Sequence, residues 1–176
     1  MVRLDKNSNI WRVGRLEKLF RRTSLFLWSL KGTVTNEVIT GFADHWSGSP
    51  SKGSQIIARG SSWRVSGNSF NDFGWLRDLR AFGGNQARTR ARSLISNWLR
   101  QNNRWTAKSW RPDIMAKRLA NLVFCYNWYG NSADEGFQRQ LSKTVRMQAR
   151  CLAIDWKRLR DQVAQVEALR GLIIAE

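Results

Sequence analysis

Arg118 and Asn121 lie three residues apart in a stretch of helical periodicity, which puts one guanidinium and one amide on the same helix face. Such a pair suits a ligand that offers a carboxylate beside a hydroxyl, because a guanidinium fork matches carboxylate geometry and an amide both donates and accepts. Groups for proton transfer are scarcer. The single histidine, His45, falls in a Gly/Ser-rich segment, and the two tyrosines, Tyr126 and Tyr129, end an apolar helical run with no second histidine to complete an acid-base pair. Cys125 and Cys151 form no CxxC pair and His45 stands outside any metal-ligand spacing, so a zinc site, a disulfide scaffold and a cofactor are all unexpected.

The element carrying Arg118 and Asn121 is predicted to begin at Pro112, a residue suited to the first helical turn. Met115, Leu119, Leu122, Val123 and Tyr126 continue the period to Gly130-Asn131. Before it, Phe73, Leu76, Leu79 and Phe82 mark a short helix stopped by Gly83-Gly84. Asn85 is placed to cap the next one, whose apolar face is Ala87, Ala91, Leu94, Ile95, Trp98 and Leu99, with Arg88, Arg92 and Arg100 expected in solvent. After it, Ser132 is placed to cap a helix carried by Phe137, Leu141, Val145, Gln148 and Leu152 to about Asp155, and Leu159, Val163, Val166 and Ile173 carry a last one. At the start, Val13, Leu16, Phe20, Thr23, Leu27 and Leu30 trace one stripe of a first helix ending near Gly32. Residues 33–71 lose the helical period, and the short apolar pieces Gln55–Ala58 and Ser62–Val65 about Gly60 predict loops and a short β-hairpin. The expectation is an all-α single domain over residues 1–176, about six helices in antiparallel hairpins with an irregular insert at 33–71.

Composition limits what such a domain does. Of 176 residues 42% are apolar and 24% charged, with ten tryptophans, a chain able to build a packed core and unlike a disordered one. Thirty Lys+Arg against 13 Asp+Glu give +17, and residues 71–118 alone carry 11 basic and 3 acidic groups. Arginine outnumbers lysine 22 to 8, favouring planar, bidentate recognition of anions. No apolar run is long enough to span a bilayer, and basic residues from Lys6 to Arg22 interrupt any secretion-signal core, so a cytoplasmic location is the default expectation. The apolar finish Leu169–Glu176 has no polar tail, which suggests an interrupted structure.

Phe73-Gly-Trp-Leu-Arg-Asp-Leu-Arg-Ala-Phe-Gly-Gly, Trp110-Arg-Pro-Asp-Ile-Met-Ala-Lys-Arg-Leu-Ala-Asn and Trp46-Ser-Gly-Ser-Pro-Ser-Lys-Gly together resemble the N-terminal helical region of bacterial heparinase II/III family polysaccharide lyases, from about Leu19 to about Ala168. The resemblance implies the first part of an incomplete (α/α) toroid, with the toroid remainder and a β-sandwich domain absent. It also implies that Trp46 leads toward short strands. It implies β-elimination on a uronate polymer such as a glycosaminoglycan, in which the proton-abstracting and carboxylate-neutralising groups lie downstream of the matching region. On this reading Trp110, Arg118 and Asn121 belong to a substrate groove, Trp75 or Trp110 stacks on a sugar ring, no catalytic residue is present, and the missing lyase portion is a potential partner chain. Asp113 stands where the family often has an aromatic residue after the proline.

The competing class is a basic helical nucleic-acid-binding module, since +17 and arginines interleaved with tryptophans suit phosphate contact and base stacking. Against it, no helix-turn-helix, RNP or zinc-finger spacing is present. For Trp75 and Trp98 core packing is the favoured expectation, and for Arg118 the alternative to a groove role is an ion pair with Asp113.

Overall fold

The computed structural model describes residues 13–31, 47–63 and 70–175, and these form eight α-helices with no strand among the described residues. They are α1 (Arg15–Arg21), α2 (Ser24–Ser29), α3 (Pro50–Arg59), α4 (Trp75–Phe82), α5 (Gly84–Gln101), α6 (Pro112–Tyr129), α7 (Glu135–Asp155) and α8 (Gln162–Ala175). Helix α6 is the centre: 14 of its 18 residues are buried, so it is enclosed over most of its circumference, with Lys117 and Asn127 left exposed. Helices α4, α5, α7 and α8 pack around it. Pro112 opens it, supplying a fixed φ where no helical N–H is needed.

Four local expectations are corrected. The first predicted helix is two, because Thr23 leaves helical geometry and its Oγ1 accepts the Phe26 N–H at the start of α2. That break changes the buried face: Val13, Arg21, Phe26 and Leu30 turn inward while Leu16 and Phe20 are exposed. The stretch Gln55–Ala58 is no hairpin strand but part of α3, started by the Ser49 cap and Pro50, so the Trp46 segment leads into a helix rather than a strand. Trp46 itself and His45 lie outside the described residues. Asn85 lies inside α5, which begins at Gly84 after the Gly83 cap, both glycines at positive φ. Asp134, not Ser132, caps α7 by accepting the Phe137 N–H at 2.9 Å.

The face of α8 is also reversed. Val163, Val166 and Ile173 are exposed, and Ala164, Ala168 and Gly171 are buried. The cause is proximity: a Cβ at Gly171 would stand 2.6 Å from the Ala116 Cα of α6, so only the smallest side chains fit this seam. Gly53 serves α3 likewise, lying where a Cβ would meet the Asp78 carbonyl of α4 at 2.3 Å.

Helix α1 is pinned to α7 by charge. Arg21 donates to both oxygens of Asp155, at 2.5 and 2.6 Å, with both side chains buried. It also donates to Glu17 at 2.7 Å, and Glu17 pairs with Arg158. Burial pushes the Glu17 carboxyl up, but the hydrogen bonds and charges of Arg158 and Arg21 outweigh it and hold the group below the usual carboxylate range. Its stabilisation is therefore complete above the unfolded value of about 4.3 and lost as pH falls through the lower folded value. Acidification from about pH 6 to about pH 3 is expected to lower the melting temperature followed by circular dichroism, and Glu17→Gln to shrink that drop. An identical drop in the variant would remove Glu17 from the acid response.

Candidate functional site

The chain between Asn71 and Gly74 makes a turn that its own residues do not favour. Phe73 has a φ of 60°, a conformation rarely adopted by a side chain of that size, and it is completely buried against Trp75 and Trp98. Asp72 Oδ1 accepts the Gly74 N–H at 2.8 Å, an Asx-type closure that accounts for the local bend. What holds the turn in place comes from α5 and α6. Trp98 Nε1 donates to Asn71 Oδ1 at 2.9 Å, Arg118 Nη1 to the Asn71 carbonyl at 2.7 Å, and Asn121 Nδ2 to the Asp72 carbonyl at 2.8 Å.

Arg118 is wholly buried. Its Nε donates to Gln148 Oε1 of α7 at 2.8 Å and its Nη2 to the Ser109 carbonyl at 2.9 Å, while its guanidinium carbon lies 4.3 Å from the Trp98 ring centroid. Burial pushes the guanidinium down from its ordinary value, and the Asp72 charge opposes the shift. Asp72 is in turn pushed up by burial, against the Gly74 hydrogen bond and the charges of Lys117 and Arg118.

Above this layer opens a cleft of about 340 Å³, lined by Asp72, Gly74 and Arg77, by Lys117, Ala120 and Asn121 of α6, and by Glu167 and Arg170 of α8. Asn121 spans both levels. Its Nδ2 fixes the turn below, and its Oδ1 accepts Arg77 Nε at 2.5 Å. The Arg77 and Arg170 guanidinium carbons both lie over the Phe124 ring, at 5.5 and 5.8 Å from its centroid, so the two cations are oriented by one aromatic side chain. Three cations and two carboxylates around one opening can bind an anionic group while accepting hydrogen bonds from neighbouring hydroxyls.

Of the four residues singled out from the sequence, Asn121 alone lines this cleft. Arg118 lies beneath it with its donors directed into the protein, and Asp113 is paired instead with Arg111, through contacts of 2.6 and 2.7 Å. Trp75 and Trp110 are buried in the core, Trp75 donating to the Phe70 carbonyl at 3.1 Å and stacking on the Phe70 ring. The acid-base candidates are internal too: Tyr129 is buried and donates to the Leu122 carbonyl at 3.1 Å, and burial pushes the phenols of Tyr126 and Tyr129 up. Arg92, expected in solvent, clamps the end of α6 by donating to the Tyr129 carbonyl and Ser132 Oγ. Sequence reasoning missed Arg77, Lys117 and Arg170. Lys117 and Arg77 stand inside the quoted motifs, but only the packing of α8 onto α6 brings Arg170 beside them.

Arg118→Ala is expected to cost at least about 3 kcal/mol in urea denaturation, since it leaves three acceptors and a cavity in the core. Arg118→Lys should rescue little of it, because an ammonium lacks the planar fork and the stacking face. Unchanged stability with lost ligand affinity would instead make Arg118 a ligand contact.

No family model matches the sequence, and no solved structure matches the fold. Over 55 residues, 31% of this chain, the sequence is 43% identical to the FtsZ-localized protein C of Caulobacter vibrioides (strain NA1000 / CB15N), and the matched stretch is 9% of that protein's length.

Proposed function

We propose that this chain is the N-terminal helical part of a heparinase II/III-like polysaccharide lyase, its helices forming the start of an (α/α) toroid. It grips a uronate-bearing polysaccharide in the cleft between α4, α6 and α8 and is inactive in elimination on its own. The observation that carries the reading is the cleft itself: Arg77 and Arg170 over Phe124, with Lys117 and Asn121 beside them. An acidic sugar chain presents carboxylates for the cations and hydroxyls for Asp72, Glu167 and the Asn121 amide. The cleft, at about 340 Å³, falls at the small end of the range of about 300–1,000 Å³ seen for ligand sites, suited to a short stretch of polymer rather than a large cofactor.

β-Elimination needs a group that neutralises the uronate carboxylate, a base for the C5 proton and an acid for the leaving oxygen. The cleft supplies cations for the first task. Neither tyrosine lines it, so the base and acid are assigned to the remainder of the toroid. The similar Caulobacter protein is known by its localization, and its name assigns it no reaction, so the reading rests on the cleft.

The rival reading, nucleic-acid binding, draws on the net charge of +17. Calorimetric titration with heparin, polyuronate and duplex DNA over a range of salt concentrations separates the two. Arg77→Ala with Lys117→Ala is expected to weaken polysaccharide binding about tenfold or more, as befits lost charge-assisted hydrogen bonds, and Arg88→Ala with Arg92→Ala far less. The isolated chain should generate no unsaturated uronate absorbing in the near ultraviolet. Equal losses from both double variants, with DNA bound at least as tightly and with the same steep salt dependence, would favour the nucleic-acid reading.

A further inference from the structure

Helices α1 and α2 are built inside out. The residue of α1 turned most firmly inward is an arginine, Arg21, held by Asp155, and at 100° per residue Leu19 stands on the opposite side of the helix. Leu16, Leu19 and Phe20 of α1 are 83%, 61% and 50% exposed, and Leu25 and Trp28 of α2 are 66% and 69% exposed. Five large apolar side chains thus stand in water on two consecutive short helices whose other side is anchored by Phe26, Leu30 and the Arg21–Asp155 pair.

Cations are set among these apolar side chains. Arg15 and Arg22 lie four and three residues from Leu19, hence beside it on the helix surface, and Lys18 and Lys31 are exposed on the same segment. The single acidic residue of the two helices, Glu17, is already engaged by Arg21 and Arg158. From this we infer that α1 and α2 form an interfacial membrane-binding face, whose leucines and aromatic rings enter the headgroup boundary of an anionic bilayer while Arg15, Lys18, Arg22 and Lys31 meet the lipid phosphates.

Charge selects this occupant. A second copy docked on the same face would set four cations against their own images, and the core of a protein-protein interface is depleted of lysine. A bilayer surface accepts the mixture, because long cationic side chains lie along apolar neighbours and reach the headgroups, and because Trp and Phe favour that boundary. None of the described helices is long and apolar enough to cross a membrane, so the contact is peripheral.

The test is flotation of the full chain with vesicles of phosphatidylcholine alone or of roughly 3:1 phosphatidylcholine to phosphatidylglycerol, an anionic surface of the kind that draws Lys and Arg. The chain is expected to float with the anionic vesicles and to stay behind with the neutral ones. Leu19→Ser with Trp28→Ser keeps the net charge at +17 and alters only exposed positions, so its circular dichroism melt should match the parent. Its vesicle partitioning should nevertheless fall about tenfold or more, since burial of apolar area is what a charge-preserving change removes. Arg77→Ala with Lys117→Ala should leave partitioning nearly intact, which keeps this result separate from the polysaccharide reading. Equal flotation of the serine variant would reduce the effect to charge adsorption and overturn the inference. Failure of the parent to float would also overturn it, leaving the face to a protein partner.

Discussion

A guanidinium taken wholly out of water must find acceptors inside the protein, and the arrangement of this fold around Arg118 follows from that demand. Its three nitrogens reach three parts of the chain: Gln148 on α7, the Ser109 carbonyl before α6 and the Asn71 carbonyl before α4. Trp98 of α5 covers the guanidinium face and hydrogen-bonds the Asn71 side chain, so one cation ties four helical neighbourhoods together. Asn121, one turn further along α6, adds the Asp72 carbonyl and then reaches outward to Arg77. The strained backbone at Phe73 persists because these bonds over-determine the turn around it.

This layering separates support from contact. Arg118 holds the Asn71 end of the turn whose Asp72 and Gly74 line the cleft, and Arg77, Lys117 and Arg170 present charge at its opening. A buried, fully bonded arginine cannot reorient toward a ligand without leaving acceptors unpaired, whereas Arg77 and Arg170 line the opening itself, both over the Phe124 ring, Arg77 donating to Asn121 Oδ1 and Arg170 lying 3.8 Å from Glu167. The outward leucines of α1 and α2 lie in a different part of the chain, fastened to α7 through Asp155. The chain thus offers two cationic surfaces, one concave and polar and one apolar.

Much of this was legible in the residue pattern, and the failures share a cause. Periodicity located α4 to α8 and named Arg118 and Asn121 as a pair on one face, which they are. The resemblance places the pair in a substrate groove and the alternative pairs Arg118 with Asp113, and only the convergence of Asn71, Ser109 and Gln148 from distant positions supplies the acceptors that permit burial of a residue as seldom buried as arginine. On α1 and α8 the period alone points the apolar stripe inward. A buried ion pair at Arg21 and a seam of Ala164, Ala168 and Gly171 reversed it, and pairwise contacts of that kind are invisible to a one-dimensional period. In residues 50–59 Gly53 and the polar residues Ser51, Lys52, Ser54 and Gln55 obscure a helix that Ser49 and Pro50 begin.

The division between a supporting Arg118 and contacting outer cations is tested most directly by NMR of the arginine Nε–Hε groups during titration with a short oligouronate. The account predicts shifts for Arg77 and Arg170, while the Arg118 resonance, shielded by its Gln148 hydrogen bond, stays in place and exchanges slowly with solvent. A shift at Arg118 as large as those of the outer arginines, or rapid exchange there before ligand is added, would contradict it.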